Sequence, residues 1–212
     1  GFIELEENAD HVLRERAWRA FTDNASSRHT AIVQALEDVG LRLGDLHFAF
    51  VNQFADYGDI DNWPAPPKPP PNVEDVLKEL TPFITKIREE TFPSAMDRGT
   101  DELMTDLEQL VSMYDRADRE SVVAVMQLVE SLDREPKLVK KHWPGGSDPD
   151  KKLKKTAHAA ADSWKSAWDQ VRTNTSPFLW QWRAHRYPKV IEALTAARCE
   201  YDRLRHDAGA LS

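Results

Sequence analysis

Apolar residues recur in steps of three and four along almost the whole chain, and no alternation of period two runs long enough to make a strand. That pattern confines the sequence to helices. The clearest row is Ile32, Leu36, Val39, Leu43, Leu46, Phe50, Phe54 and Tyr57, one seam along one helix. Upstream, Leu5, Ala9, Val12 and Arg16 form one row and Leu13, Ala17 and Phe21 an offset one. Both lead to the capping-rich stretch Thr22–Ser27, where the helix either breaks or runs through. The longest row is Leu103, Leu107, Leu110, Tyr114, Ala117, Ser121, Val125, Leu128 and Leu132, a heptad with one polar member. Leu153, Ala157, Ala160, Trp164, Ala167 and Val171 carry the period onward. Leu179, Trp182, Arg186, Val190, Leu194, Ala197, Tyr201 and Leu204 take it almost to the C-terminus.

Proline and glycine punctuate these rows. The stretch Trp63–Pro71 stops any helix, because proline lacks the amide donor and fixes its own φ; it reads as a stiff, polyproline-like connector over 64–71. Asn72 caps the next helix, with apolar row Val73, Val76, Leu77 and Leu80 and a kink or restart at Pro82. Phe92-Pro93-Ser94 breaks again. Pro136 and the turn region 143–149 form the second strong interruption, and Asp148-Pro149 suits a helix start. Ser176-Pro177 offers a further cap, and Pro188 a kink. Gly40 and Gly44 lie inside the second seam, where each costs about 1 kcal/mol against alanine; close packing or simple tolerance accounts for them.

The expected fold is therefore all-α: a single helical domain over 1–212, a kinked antiparallel bundle of three long arms, roughly 3–62, 73–142 and 150–208. The prolines at 82, 93, 177 and 188 divide the arms into five to seven helices, and the bundle is partly elongated. Gly1 followed at once by Phe2, Ile3, Glu4 and Leu5 suggests a fragment of a longer protein or a glycine left by tag removal, and shows no secretory leader. No apolar run reaches the length of a membrane span.

Catalytic chemistry finds no foothold in the motifs. There are no Glu-x-x-His pairs of a di-iron bundle, no His-Glu-x-x-His, no Gly-x-Ser-x-Gly elbow and no glycine-rich phosphate loop. The single cysteine, Cys199, excludes a disulfide framework and reads as a buried or half-buried structural thiol; His206 lies two turns on but brings no orienting group. Asp115 with Asp118, and Asp97 with Asp101, sit one turn apart and read as a solvated acidic face. Asp56, Asp59 and Asp61 around Gly58 resemble part of a calcium loop without its closing glutamate. Neither a catalytic residue, a cofactor nor a metal ligand is assigned. The net charge of -8 argues against general nucleic-acid binding.

Two features point to contacts. Lys137, Lys140, Lys141, Lys151, Lys152, Lys154 and Lys155 face only Asp148 and Asp150, so a basic hairpin tip sits on an otherwise strongly acidic chain. The C-terminal third is rich in aromatics: Trp164, Trp168, Phe178, Trp180, Trp182 and Tyr187. Trp180 and Trp182 point about 200° apart, so they cannot be equally buried in one simple interface, and a surplus tryptophan marks a partner surface. The seven lysines, Trp180 and Trp182 are the candidate partner-binding residues.

In the order and length of its arms, with a basic tip between the second and third and a last helix carrying Tyr187, Ile191, Leu194 and Tyr201, the chain resembles the BAR-type membrane-curvature domains of sorting nexins. The likeness covers most of the chain as layout, without a specific motif; the connector at 64–71 and the tryptophan count depart from it. It implies a homodimer bound peripherally to an anionic membrane. The residues themselves favour a non-catalytic helical interaction or scaffold module in the cytoplasm, contacting a protein partner or the rest of its own longer chain. A BAR-like dimer and an enzyme with an unrecognised bundle site stand as alternatives.

Overall fold

The computed structural model describes residues 7–57, 63, 65–89 and 101–209. The protein is all-helical, and among the described residues there is no strand. Among the described residues seven helices follow one another: α1 Glu7–Arg28, α2 Thr30–Glu37, α3 Leu43–Asn52, α4 Val73–Glu89, α5 Glu102–Arg116, α6 Val122–Leu132 and α7 Lys151–Asp207, with short 3-10 turns at Phe54–Asp56 and Lys140–His142. They belong to two compact units, Gly1–Lys68 with Arg183–Ser212, and Pro69–Trp182. Leu5, the residues Asp59 and Asp61 with Gly58, the break at Phe92-Pro93-Ser94, and Asp97 lie outside the described residues.

In the first unit, α1 packs on α2 and α3, and the C-terminal part of α7 completes one apolar cluster. Leu13, Ala17, Trp18 and Phe21 enter it from α1, Phe50 and Val51 from α3, and Ile191, Leu194, Ala197 and Tyr201 from α7. Trp18 lies 5.6 Å from Phe21 and 5.3 Å from Phe50, ring centre to ring centre. The offset row of α1 is thus the buried one, whereas Val12 of the other row is 56% exposed. The stretch Thr22–Ser27 does not break the helix, because its polar side chains turn back onto the preceding turn: Thr22 Oγ1 donates to Arg19 O, Asn24 Nδ2 to Ala20 O and Ser27 Oγ to Asn24 O.

The expected long second seam is instead cut between α2 and α3. Gly40, at φ +70°, takes the left-handed conformation that ends α2, its amide bonding to Glu37 O and that of Leu41 to Leu36 O, both at 2.9 Å. Arg42 then precedes α3, its amide donating to Asp45 Oδ2. A Cβ at Gly44 would meet nothing within 4 Å, so tolerance and not close packing explains that glycine. Leu36, Val39, Leu46, Phe50 and Phe54 are buried as the seam requires, but Tyr57 at its end is exposed.

In the second unit, Asn72 caps α4 by accepting the amides of Glu74 and Asp75. The helix continues through Pro82. It packs on α5 and α6, and the Phe83 ring stands 6.4 Å from both Trp164 and Trp168 of α7. The heptad row is buried at Leu103, Leu107, Leu110, Tyr114, Val125, Leu128 and Leu132. Its helix is nonetheless interrupted at 117–121. Asp118 Oδ1 accepts the Glu120 amide there, and Ser121 Oγ that of Ala124, so local caps replace one helical turn.

Helix α7 runs unbroken through Pro177 and Pro188. Burial of Val171, Thr175, Leu179 and Trp182 around Pro177, and of Ile191, Ala193 and Leu194 beyond Pro188, accounts for helix persistence against a proline cost of about 3 kcal/mol each. The buried row at its start is Ala157, Ala161, Trp164, Trp168 and Val171, a slight rotation from the expected one that leaves Leu153 exposed. Cys199 is also exposed, not buried, because the core face of this stretch runs through Leu194, Ala197 and Tyr201.

Candidate interaction surface

The lysine-bearing segment is organised from a carboxylate that precedes it by more than thirty residues. Asp101, 1% exposed, caps α5 by accepting the Met104 amide at 3.0 Å. Its other oxygen accepts the Val139 amide at 2.8 Å and the Trp143 indole N–H at 3.2 Å. Glu102 beside it accepts the Lys137 amide. Asp101 before the helix and Glu102 at its start therefore fix the backbone at 137 and 139 and the indole of Trp143. Pro136 and Trp143 are buried at either end of this stretch.

The following turn is equally constrained. Gly145 has φ +80°, and the Gly146 amide bonds to Trp143 O at 2.6 Å. A Cβ at Gly146 would collide with the carbonyl oxygens of Lys140 and Trp143. Ser147 Oγ donates to Lys141 O, and His158 of α7 contacts Gly146 O through Nε2. Asp148 Oδ1 accepts the Asp150 amide, and Asp150 Oδ1 accepts that of Lys152 at the start of α7. The expected helical hairpin tip is thus a folded, mostly non-helical turn: the helix before it ends at Leu132, ten residues short of the expected arm.

Of the seven lysines, Lys140 is engaged in an ion pair with Asp162 at 2.6 Å. Lys137, Lys141, Lys151, Lys152, Lys154 and Lys155 are exposed. The last four occupy the first turns of α7, where the opening turn carries no acidic residue. The two tryptophans divide as their opposed directions require: Trp180 is 66% exposed and Trp182 is 0% exposed. Trp182 is a core residue, which corrects its expected place on a partner surface. Trp180 borders a groove of about 510 Å³, with Val129, Asp133, Arg172, Ser176 and Pro177 among its walls.

The acidic pairs have structural partners. Asp115 pairs with Arg88, Asp118 holds the 117–121 turn, and Asp101 is the cap just described. Asp106, 5% exposed, is paired with Arg134, whose Nε lies at 2.6 Å. Among the described residues no group of three or more His, Cys, Asp or Glu is placed to hold a metal ion. No described helix is long and apolar enough to cross a membrane. Sequence reasoning missed Asp101 as the organiser of the lysine segment. Its cap position was readable from the Asp-Glu pair before an apolar row, but its contacts with Val139 and Trp143 arise from tertiary structure alone. Comparison with family models, with curated proteins and with solved structures returns no match.

Proposed function

We propose that this chain is a non-catalytic helical interaction module that docks an acidic protein surface through the lysines of 137–155, with exposed Trp180 as a second contact. The observation that carries the reading is the set of six exposed lysines held by an ordered turn on a chain of net charge -8. Lys151, Lys152, Lys154 and Lys155 also sit at the helix end whose dipole disfavours cations, by about 0.3–1 kcal/mol per charge. An incoming anion relieves both the mutual repulsion of the lysines and this mismatch. A tryptophan left in water supplies the kind of aromatic anchor on which protein interfaces concentrate binding energy.

The test is binding of the intact chain to polyglutamate and, separately, to phosphatidylcholine vesicles with increasing phosphatidylserine. Polyglutamate binding should weaken steeply with salt, since the Debye length falls from about 10 Å at 0.1 M to about 3 Å at 1 M. The Lys151→Glu, Lys152→Glu, Lys154→Glu, Lys155→Glu variant should lose it with unchanged helical circular dichroism. Binding to the vesicles alone would favour the peripheral-membrane reading. Binding to neither at low salt would sink the electrostatic docking reading.

A further inference from the structure

Among the described residues, Ser147 is the only exposed serine or threonine outside a helix. Ser121, also outside one, is half-buried and caps α6 by accepting the Ala124 amide. Thr156 is exposed but lies within α7, where its hydroxyl donates to Lys152 O at 3.1 Å. Ser147 instead belongs to the non-helical turn in the lysine segment, and its Oγ donates to Lys141 O at 2.8 Å. A peptide-binding cleft can therefore take this serine without unwinding a helix.

Charge around the serine is arranged in two shells along the sequence. From 143 to 150 the charged residues are Asp148 and Asp150, one and three positions after it. Outside that stretch stand Lys140 and Lys141 on one side and Lys151, Lys152, Lys154 and Lys155 on the other. The near pair suits a kinase whose substrate cleft is basic, since charge pattern is a main means by which kinases select substrates. The outer lysines suit the product, because a new dianion beside cationic side chains forms charge-assisted hydrogen bonds.

We propose that Ser147 is a phosphorylation site for an acidic-directed serine kinase, and that its phosphate is held by Lys141, Lys151 and Lys152. The Oγ attacks the γ-phosphorus of ATP, the bond from that phosphorus to the bridging oxygen of the β-phosphate breaks, ADP leaves, and the hydroxyl proton passes to the kinase's catalytic carboxylate. The esterified Oγ has no proton to donate, so its bond to Lys141 O is lost. A charge of about -1.5 to -2 then enters a segment whose seven lysines and two aspartates sum to +5. Lys141 is at hand because its own carbonyl meets the serine, and Asp150 holds the Lys152 amide at 2.8 Å, which fixes the start of α7 at the end of the turn. On the docking function proposed above, on which this consequence rests, the phosphate takes these lysines from an acidic partner and switches docking off.

The intact chain is incubated with magnesium ATP and casein kinase. Intact mass and peptide mapping should place one phosphate on Ser147, and Ser147→Ala should take none there. Phosphorus NMR should give that phosphate a second pKa below the one it has on a peptide of residues 142–150, which keeps Asp148 and Asp150 but carries none of the lysines. Lys141→Gln with Lys151→Gln and Lys152→Gln should return it to the peptide's value with unchanged helical circular dichroism. Polyglutamate affinity should fall about tenfold or more on phosphorylation, whereas Ser147→Ala, which loses the hydrogen bond without gaining charge, should bind as the parent does. The proposal is overturned if the kinase leaves Ser147 unmodified, if the phosphate titrates as it does in the peptide, or if a chain that binds polyglutamate binds it equally after phosphorylation. An unmodified chain that does not bind polyglutamate sinks the docking function alone, and the site of phosphorylation and the phosphate titration still decide this proposal.

Discussion

The Tyr201 hydroxyl donates to Asp10 at 2.5 Å, tying the end of α7 to the beginning of α1 inside the first unit. Arg14 joins the same carboxylate through Nε at 2.8 Å and reaches Val51 O at 3.1 Å, so three helices meet at one ion-paired hydrogen-bond network. Burial raises the Asp10 carboxyl, but the Tyr201 hydroxyl and the Arg14 guanidinium outweigh it and hold the group below its ordinary 3.8. Burial first, and then the Asp10 bond, push the Tyr201 phenol from 10.0 up to about 12.

The two shifts act on opposite limbs of the stability–pH curve. A carboxyl held low stabilises the fold above its unfolded pKa, and this is lost as pH falls through the folded value. A phenol held high stabilises the fold fully below 10.0, and this is lost as pH rises toward about 12. Urea midpoints should therefore decline on both sides. In Tyr201→Phe the alkaline decline should shrink, and the phenolate absorbance that develops toward about pH 12 should be lost. An alkaline limb unchanged by Tyr201→Phe would disprove the coupling.

What was legible in the sequence was burial more than continuity. The row from Leu103 to Leu132 is buried at every strongly apolar member. Its period nevertheless passed straight over the turn at 117–121, because a heptad count registers which face is apolar and not whether Asp118 and Ser121 bond their own backbone. The capping residues of Thr22–Ser27 admit either a break or a continuous helix by local pattern, and at Pro177 and Pro188 local breaker signals yielded to tertiary burial. The opposed directions of Trp180 and Trp182 were readable from helical geometry; which of them faced the core was not. Asp101 was legible as a residue type near a helix start, but its bonds to Val139 and Trp143 span 38 and 42 residues, beyond any local pattern.

Leu107 and Leu128 are 0% and 2% exposed in the second unit. Replacing either by alanine should cost about 2–5 kcal/mol, the transfer term plus the cavity left behind. Val12→Ala, at a site 56% exposed, should change stability by less than about 0.5 kcal/mol. Chemical denaturation of the three variants checks the contrast, and comparable losses for Leu107→Ala and Val12→Ala would contradict the assigned core face.

Two glycines should respond in opposite directions to alanine. Gly44 stands in the first turns of α3 with open space where a Cβ would go, so Gly44→Ala should stabilise by about 0.5–1 kcal/mol through lower unfolded-state entropy. At Gly146 the same atom meets two backbone carbonyls that cannot swing aside. Gly146→Ala should therefore open the 143–147 turn and lower the melting temperature. A melting temperature that rises for Gly146→Ala would mean that the turn relaxes freely.

Asp101 links the fold to the proposed docking surface, because its carboxylate accepts one amide of its own helix and two N–H groups of the lysine segment. Asp101→Ala leaves a lost cap and buried donors without their acceptor, and should cost on the order of 2–4 kcal/mol. Asp101→Asn keeps the size and one acceptor oxygen but turns an NH₂ toward some of these donors, so it should recover only part of the loss. Hydrogen exchange should localise the effect: amides from 137 to 147 should exchange faster, while those around Trp164 and Trp168 in α7 keep their protection. The variants leave all seven lysines in place. If polyglutamate binding depends on a shaped lysine surface, Asp101→Asn should weaken it despite removing a negative charge; if local charge alone governs binding, affinity should hold or rise. Unchanged exchange across 137–147 in Asp101→Ala would show that the segment is held by Pro136 and Trp143 packing and not by the carboxylate.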